Sequence, residues 1–314
     1  MRSFTFISAS ALALSATPTL GQSTPPTIDR PTECAATTGD CSVVDQSGTD
    51  GKVTVSQQGG GNAAGVDQSG DRGNVEVTQD GSNNTALVNQ AGSGTNPVPD
   101  YGDGYLSQVA IIDQEGTGNR ARIDQNDENA AGAAFPRSGQ GMSNSDSYAG
   151  IWQDGQNNTA AIEQSGFYQI AYVEQIDGAS GNVSTTAQTG SYQYATTRQT
   201  GAGNDSSITQ SDGGAGPGLS GGVGNNVYDE SEEFAAGVDQ SGDRNVSEIG
   251  QSGQSNFAMV DQEGNDNRSE ITQSGVGSTA IVAQYSNDNL STINQRGTGV
   301  HTATVTQGAP GGGN

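Results

Sequence analysis

Large apolar side chains are what this chain most lacks. Hydrophobic residues fill 30% and aromatic ones 5% of its 314 positions, too few for the single dense core of an ordinary globular domain. Basic residues are scarce too, with 11 Lys and Arg against 35 Asp and Glu. The resulting net charge of -24 argues against a nucleic-acid partner, whose phosphates need a basic surface, and against an anionic membrane. One histidine, His301, and two cysteines, Cys34 and Cys41, are the whole supply of soft metal ligands, too small a set for a zinc site. The motifs G-x-S-x-G and H-E-x-x-H and the phosphate-binding loop are missing, and no convergent cluster of acids and bases stands out. The expectation is therefore no enzyme and no cofactor. Past the N-terminal segment no stretch approaches 18 apolar residues, which predicts no membrane insertion.

What is present begins with MRSFTFISASALALSATPTLG at 1–21. One early positive charge, a short apolar run and small residues beyond it have the form of a secretory signal peptide. An exported chain can oxidise its cysteines, so Cys34 and Cys41 are a possible disulfide. The segment 22–38 reads as a Pro/Thr-rich leader and 309–314 as a flexible tail.

Glycine is the commonest residue, at 48 positions, and glutamine, at 28, keeps time. Gln46, Gln57, Gln68, Gln79 and Gln90 stand 11 residues apart. The same beat joins Gln114 to Gln125, then Gln153, Gln164 and Gln175, then Gln188, Gln199 and Gln210. It resumes as Gln240, Gln251, Gln262, Gln273, Gln284 and Gln295, with Gln307 one residue late. Twenty of the 28 glutamines belong to this ladder.

The other positions hold phase with it. Two residues before the glutamine stands Val or Ile in 18 of 20 cases, the exceptions being Thr186 and Thr197. Four before stands Ala, Ser or Val in all 20. Six before, Asn recurs, as in Asn62, Asn84, Asn245, Asn256, Asn267 and Asn289. Two after, Gly occurs in 15. A specified set at even offsets is the signature of a strand with one committed face, and Gly supplies the positive φ of the turn that ends it.

Each 11-residue unit is thus one strand and one turn, and two units make a 22-residue rung. A lone rung cannot bury its face, whereas stacked rungs can. The fold class predicted is all-β: a β-solenoid of about ten strand-turn-strand rungs over 39–308. Val or Ile meets Ala or Ser in a narrow seam. Asn and Gln are expected at its margins, with side-chain amides bonded along the axis. Three long loop inserts, at about 91–104, 126–146 and 211–233, fall where turns are due. The Thr186/Thr197 rung, preceded by an interval of 13 residues, should be the weakest.

The run Gln251-Ser-Gly253-Gln-Ser-Asn256-Phe-Ala258-Met-Val-Asp-Gln262 fits Q-x-G-x-x-N-x-A-x-x-x-Q, and Gln79-Asp-Gly81-Ser-Asn-Asn84-Thr-Ala86-Leu-Val-Asn-Gln90 fits it again. The chain resembles the curlin-repeat family of bacterial curli-type fibre subunits. That resemblance implies a secreted, self-assembling amyloid of the biofilm matrix at the cell surface. It also implies an outer-membrane secretion pore, accessory factors and a nucleator as partners, with the Asn and Gln positions carrying polymerisation. Ten rungs, three inserts and a cysteine pair depart from the familiar subunits, so major subunit, minor subunit and nucleator all stay open. A monomeric secreted solenoid that binds a glycan or a divalent cation is the alternative. Trp152 and the tyrosines of 148–194 are its candidate contacts.

Overall fold

A computed structural model of the chain describes residues 25–69, 73–92, 108–127, 147–211, 235–297 and 299–308. The signal-peptide reading, most of the three inserts and the C-terminal tail lie outside the described residues.

The described chain is almost wholly parallel β-structure after one short 3-10 turn, Thr32–Cys34. The strands begin with β1 (Cys41–Gln46), β2 (Lys52–Gly60), β3 (Ala63–Gln68), β4 (Gly73–Ser82), β5 (Thr85–Gly92), β6 (Gln108–Thr117), β7 (Arg120–Asp127) and β8 (Ser147–Gln156). β9 (Thr159–Ser180) and β10 (Val183–Thr200) each run through a turn and supply two units. Then come β11 (Asp205–Ser211), β12 (Ala235–Ser241), β13 (Val246–Gln254), β14 (Phe257–Glu263), β15 (Arg268–Val276), β16 (Thr279–Gln284), β17 (Leu290–Gly297) and β18 (Thr302–Gln307).

Each strand pairs with the one two units later, glutamine on glutamine: Gln46 with Gln68, Gln57 with Gln79, Gln251 with Gln273. Two sheets result. The first runs β1, β3, β5, β7, the opening halves of β9 and β10, then β11, β13, β15 and β17. The second runs β2, β4, β6, β8, the closing halves of β9 and β10, then β12, β14, β16 and β18. The predicted β-solenoid of ten rungs is the observed fold. At about 4.8 Å per rung the stack spans roughly 45 Å.

The seam between the sheets is where the sparse apolar residues are spent. Val66, Val77, Ile112, Ile123, Ile151 and Ile162 are buried against Ala64, Ala86, Ala110 and Ala121. A second cluster runs from Ala195 and Ile208 to Val282 and Ile293. The break between the two falls on the rung holding Thr186 and Thr197, both buried. Its hydroxyls form a small polar layer, where Ser206 donates to Ser184 Oγ at 3.1 Å and to Thr197 Oγ1 at 3.5 Å. Thr186 Oγ1 has no partner.

The described strands on either side of the three inserts all flank the same edge of the stack. The passages Gly92 to Gln108, Asp127 to Ser147 and Ser211 to Ala235 all cross from the first sheet to the second. Strand pairing extends to Gly92, Asp127 and Ser211, one or two residues into the predicted insert bounds, because those residues still find rung neighbours. The extra residues before Gln188 are absorbed at the other edge by Asp177 and Gly178, both at positive φ (60° and 74°).

The leader is no loose arm. Ile28 and Cys34 are buried, and Cys34 is bonded to Cys41 at the start of β1, Sγ to Sγ 2.00 Å. Arg30 donates to the carbonyls of Cys34 (2.9 Å) and Gly61 (2.7 Å). Pro31 lies over Gly65, where a Cβ would stand 3.0 Å from its Cγ. Pro26 lines a shallow cavity with Ala161, Thr185 and Thr209, several rungs further up the outside of the first sheet.

Candidate assembly site: two glutamine columns, one asparagine column and two open ends

The ladder glutamines form two columns inside the solenoid. In the first sheet Nε2 of each donates to Oε1 of the next rung's glutamine, beginning Gln46 to Gln68 (2.6 Å) and Gln68 to Gln90 (2.9 Å). The column continues through Gln125, Gln164, Gln188, Gln210, Gln251 and Gln273 to Gln295. In the second sheet it runs Gln57, Gln79, Gln114, Gln153, Gln175, Gln199, Gln240, Gln262, Gln284 and Gln307 without a gap. Every link points the same way, donated toward the C-terminal rung.

The second Nε2 hydrogen crosses the seam. Gln79 bonds the Ala63 carbonyl (3.3 Å), Gln125 that of Val109 (3.1 Å) and Gln262 that of Val246 (3.2 Å). Each of these amides therefore joins adjacent rungs within its sheet and also bridges the two sheets. This requires burial, and all ladder glutamines from Gln68 to Gln295 are at most 7% exposed. They close the seam from within rather than lining its outer margin. A buried primary amide is tolerated only because donor and acceptor are both occupied.

Asparagine behaves differently from the expected amide-to-amide stack. Its Oδ1 accepts the backbone N–H of the asparagine one rung on: Asn62 from Asn84 (3.0 Å), Asn245 from Asn267 (3.0 Å), Asn267 from Asn289 (3.0 Å). Its Nδ2 bonds carbonyls of the turn below and of the next rung, as Asn245 does with Ser241 (3.1 Å) and Gly264 (2.8 Å). Asparagine is the short side chain that can do this at a turn. The column also includes Asn119, Asn158, Asn182 and Asn204, and Asp40 opens it by accepting from Asn62 N–H (3.0 Å).

All these residues stand at the edge where the second sheet returns to the first. Asn256 is the exception. It sits on the opposite edge and makes the same bond alone, with Ser278 N–H (3.1 Å). Counting asparagines at one offset over all units hid this one-sidedness; counting alternate units separately reveals it. His301 is exposed, and only its carbonyl joins the ladder, accepting from Thr279 N–H at 2.7 Å.

The turns before the asparagine column explain the glycines. Gly81, at φ 114°, lies so close to the next rung that a Cβ would collide with the Gly116 carbonyl. The residue just before the asparagine is left-handed too: Gly61, Asn83, Gly118, Arg244, Asp266 and Asp288 all have positive φ. Arg244 is the unexpected one, and a two-point ion pair to Asp266 (2.6 and 2.8 Å) holds it.

Among the described residues both ends of the stack are open. In the first rung Val44 is 47% exposed, and Val53 and Val55 are half-buried although they face inward. In the last, Ala303, Val305 and Gln307 are half-buried. Among the described residues the leader lies along the outside of the first sheet, and Val44 of the first rung stays exposed. Outward carboxylates stack in register, Asp45 on Asp67 and Asp239 on Asp261. Burial pushes the Asp239 carboxyl up; Arg198 opposes this and Asp261 adds to it.

No group of His, Cys, Asp or Glu among the described residues is placed to hold a metal ion. No helix among them is long and apolar enough to cross a membrane.

Residues 48–80, 235–264 and 248–275 match the curlin associated repeat. These are stretches in which consecutive units follow one another without a long insert; the rungs between them keep the same geometry. No match was found among curated proteins.

Proposed function

We propose, from the premise that this chain is a curlin-repeat protein, that it is a structural subunit of an extracellular curli-type fibre. Copies join end to end by their own rungs. The observation that carries this reading is the pair of open, chemically matching ends. The last rung offers Ile293, Gln295, Val305 and Gln307, and the first offers Val44, Gln46, Val55 and Gln57. A terminal strand with unpaired N–H and C=O groups templates another strand.

The polarity of the columns selects head-to-tail addition, an open heterologous contact that grows without limit. Gln295 and Gln307 donate to Gln46 and Gln57 of the next copy, and Asn289 Oδ1 receives its Asp40 N–H. Cys34–Cys41 and Arg30 hold the leader aside so that the first rung stays presentable. Export by way of 1–21, a role in the biofilm matrix and in adhesion, and the secretion pore, accessory factors and nucleator belong to the same proposal.

Incubation of the chain without its first 21 residues, with and without preformed seeds, tests it. Seeded growth of fibres with a meridional reflection near 4.8 Å is expected. Val55→Pro, Val305→Pro and the doubly blocked chain should stop elongation at one end, the other end and both. A chain that stays monomeric at high concentration, or fibres unaffected by either block, would refute end-to-end stacking.

A further inference from the structure

The outward face of the second sheet carries a feature that stacking does not use. Tyr148, Trp152, Tyr172 and Tyr194 come from three consecutive rungs, and the parallel register gathers them into one patch. Tyr172 is its centre. Its ring centroid lies 5.2 Å from Tyr148, 5.9 Å from Trp152 and 6.1 Å from Tyr194. Trp152 is inclined only 27° to Tyr172. Its six-membered ring lies over Gly150, in the space that a side chain there would fill. The indole therefore folds back along its own strand over Gly150 and meets Tyr172 in a near-parallel contact. Tyr194 is 41% exposed, and the other three rings are half-buried by their own mutual contact.

Carboxylates border these rings. Asp113 is the register partner of Trp152 on the rung before it, Glu174 the partner on the rung after, and Asp239 stands one rung beyond Arg198. Glu76 is close enough to act on both Asp113 and Tyr148. Arg198, the one cation of the patch among the described residues, is already engaged with Asp177 (3.5 Å) and Glu174 (3.9 Å).

The geometry points to a binding platform for a polysaccharide of amino sugars with free amines. The apolar flat of a pyranose ring lies on an exposed indole or phenol face, and an ammonium group is drawn both to aromatic faces and to the bordering carboxylates. Three rungs give a platform about 10 Å long, room for a short run of sugars. Anionic polymers are repelled by the border and by the chain's charge. The platform faces sideways, so it is available in the single chain and along the flank of a fibre alike, and the inference stands whether or not copies stack.

Trp152 is the chain's single tryptophan, so its fluorescence reports on this patch alone. Titration of the single chain, or of washed fibres, with glucosamine hexamer should give a saturable change in intensity and wavelength. The N-acetylated hexamer should bind more weakly, and polygalacturonate not at all. Tyr172→Ala and Asp113→Asn should each weaken glucosamine-hexamer binding at least about fivefold. Trp152→Ala should lower retention on chitosan beads to a similar extent. Circular dichroism confirms that each variant keeps its fold, and Thr304→Ala, on the same face but remote, should bind normally.

Binding that is equal for polylysine and the sugar, or unaltered by Tyr172→Ala, would reduce the effect to bulk charge and overturn the proposal. So would a fluorescence change that depends on protein concentration and not on sugar, since the patch would then be a lateral contact between copies.

Discussion

Replacing Thr186 with valine should strengthen the stack at the point where its apolar seam is interrupted. The substitution keeps the shape of the side chain and exchanges one hydroxyl for a methyl. Thr186 is 2% exposed and its Oγ1 has no partner, so the native state carries the desolvation of a buried hydroxyl, about 1–3 kcal/mol. Joining the clusters that end at Ile162 and Val173 and resume at Ala195 and Ile208 adds a methyl-sized apolar contact, about 0.8 kcal/mol. Together these give roughly 2 kcal/mol, or about thirtyfold in the local opening equilibrium.

Thr197 supplies the control. Its Oγ1 accepts from Ser206 at 3.5 Å, so Thr197→Val breaks a weak bond and should gain less. Hydrogen exchange read by mass spectrometry on peptides spanning 183–200 resolves the effect. The wild-type chain should open there first, Thr186→Val should slow exchange there most, and peptides of the rungs around 75–88 and 258–273 should change little. Uniform protection in the wild-type chain, or faster exchange in Thr186→Val, would refute the register that places both threonines on one rung.

Further tests bear on the columns and the charges. Gln262→Ala removes the donor to Gln284 and Val246 and the acceptor for Gln240; a loss of about 3 kcal/mol, seen as a lower urea midpoint, is expected. Asn267→Ala leaves the Asn289 N–H without its acceptor and should cost about 1–2 kcal/mol by the same assay, more than Asn256→Ala, whose neighbours form no column. Because the folded-state pKa of Asp239 is raised, its contribution opposes folding above that pKa and is relieved as pH falls through it. Asp239→Asn should therefore stabilise the chain at pH 7 and leave it unchanged well below pH 4. Equal effects at both pH values would mean that neither burial nor the stacked Asp261 disfavours the ionised Asp239 carboxylate. Reduction of Cys34–Cys41 should expose the 25–40 segment to protease while the rungs stay protected; cleavage spreading into the rungs would show that the leader is integral to the stack.

The repeat was legible because the solenoid imposes the same constraint at every rung. An inward position meets its own copies above and below, so Val, Ala and Gln recur at fixed offsets, and the period alone predicts strand, turn and register. Features made once were harder to read. The leader's path depends on Gly65 leaving space for Pro31 and on Arg30 reaching the Gly61 carbonyl, single contacts with no periodic echo. The asparagine column was half-visible, since its recurrence shows in the sequence but its confinement to one edge requires the units to be sorted by sheet.

The aromatic patch is the reverse case. Tyr148, Trp152, Tyr172 and Tyr194 look scattered when read along the chain, because they stand at different offsets from the ladder glutamines: five and one before Gln153, three before Gln175 and five before Gln199. Only the stacking of three rungs, one of them approached across the insert before Ser147, makes them neighbours. Outward positions are free of the packing that disciplines the inward ones, so nothing in fold stability requires four aromatic residues to gather on one face. Mutational tolerance separates the two kinds of position. Tyr172→Ser should leave the urea midpoint within about 0.5 kcal/mol of the wild type while abolishing the sugar-dependent Trp152 signal. A large loss of stability would assign the patch to packing instead.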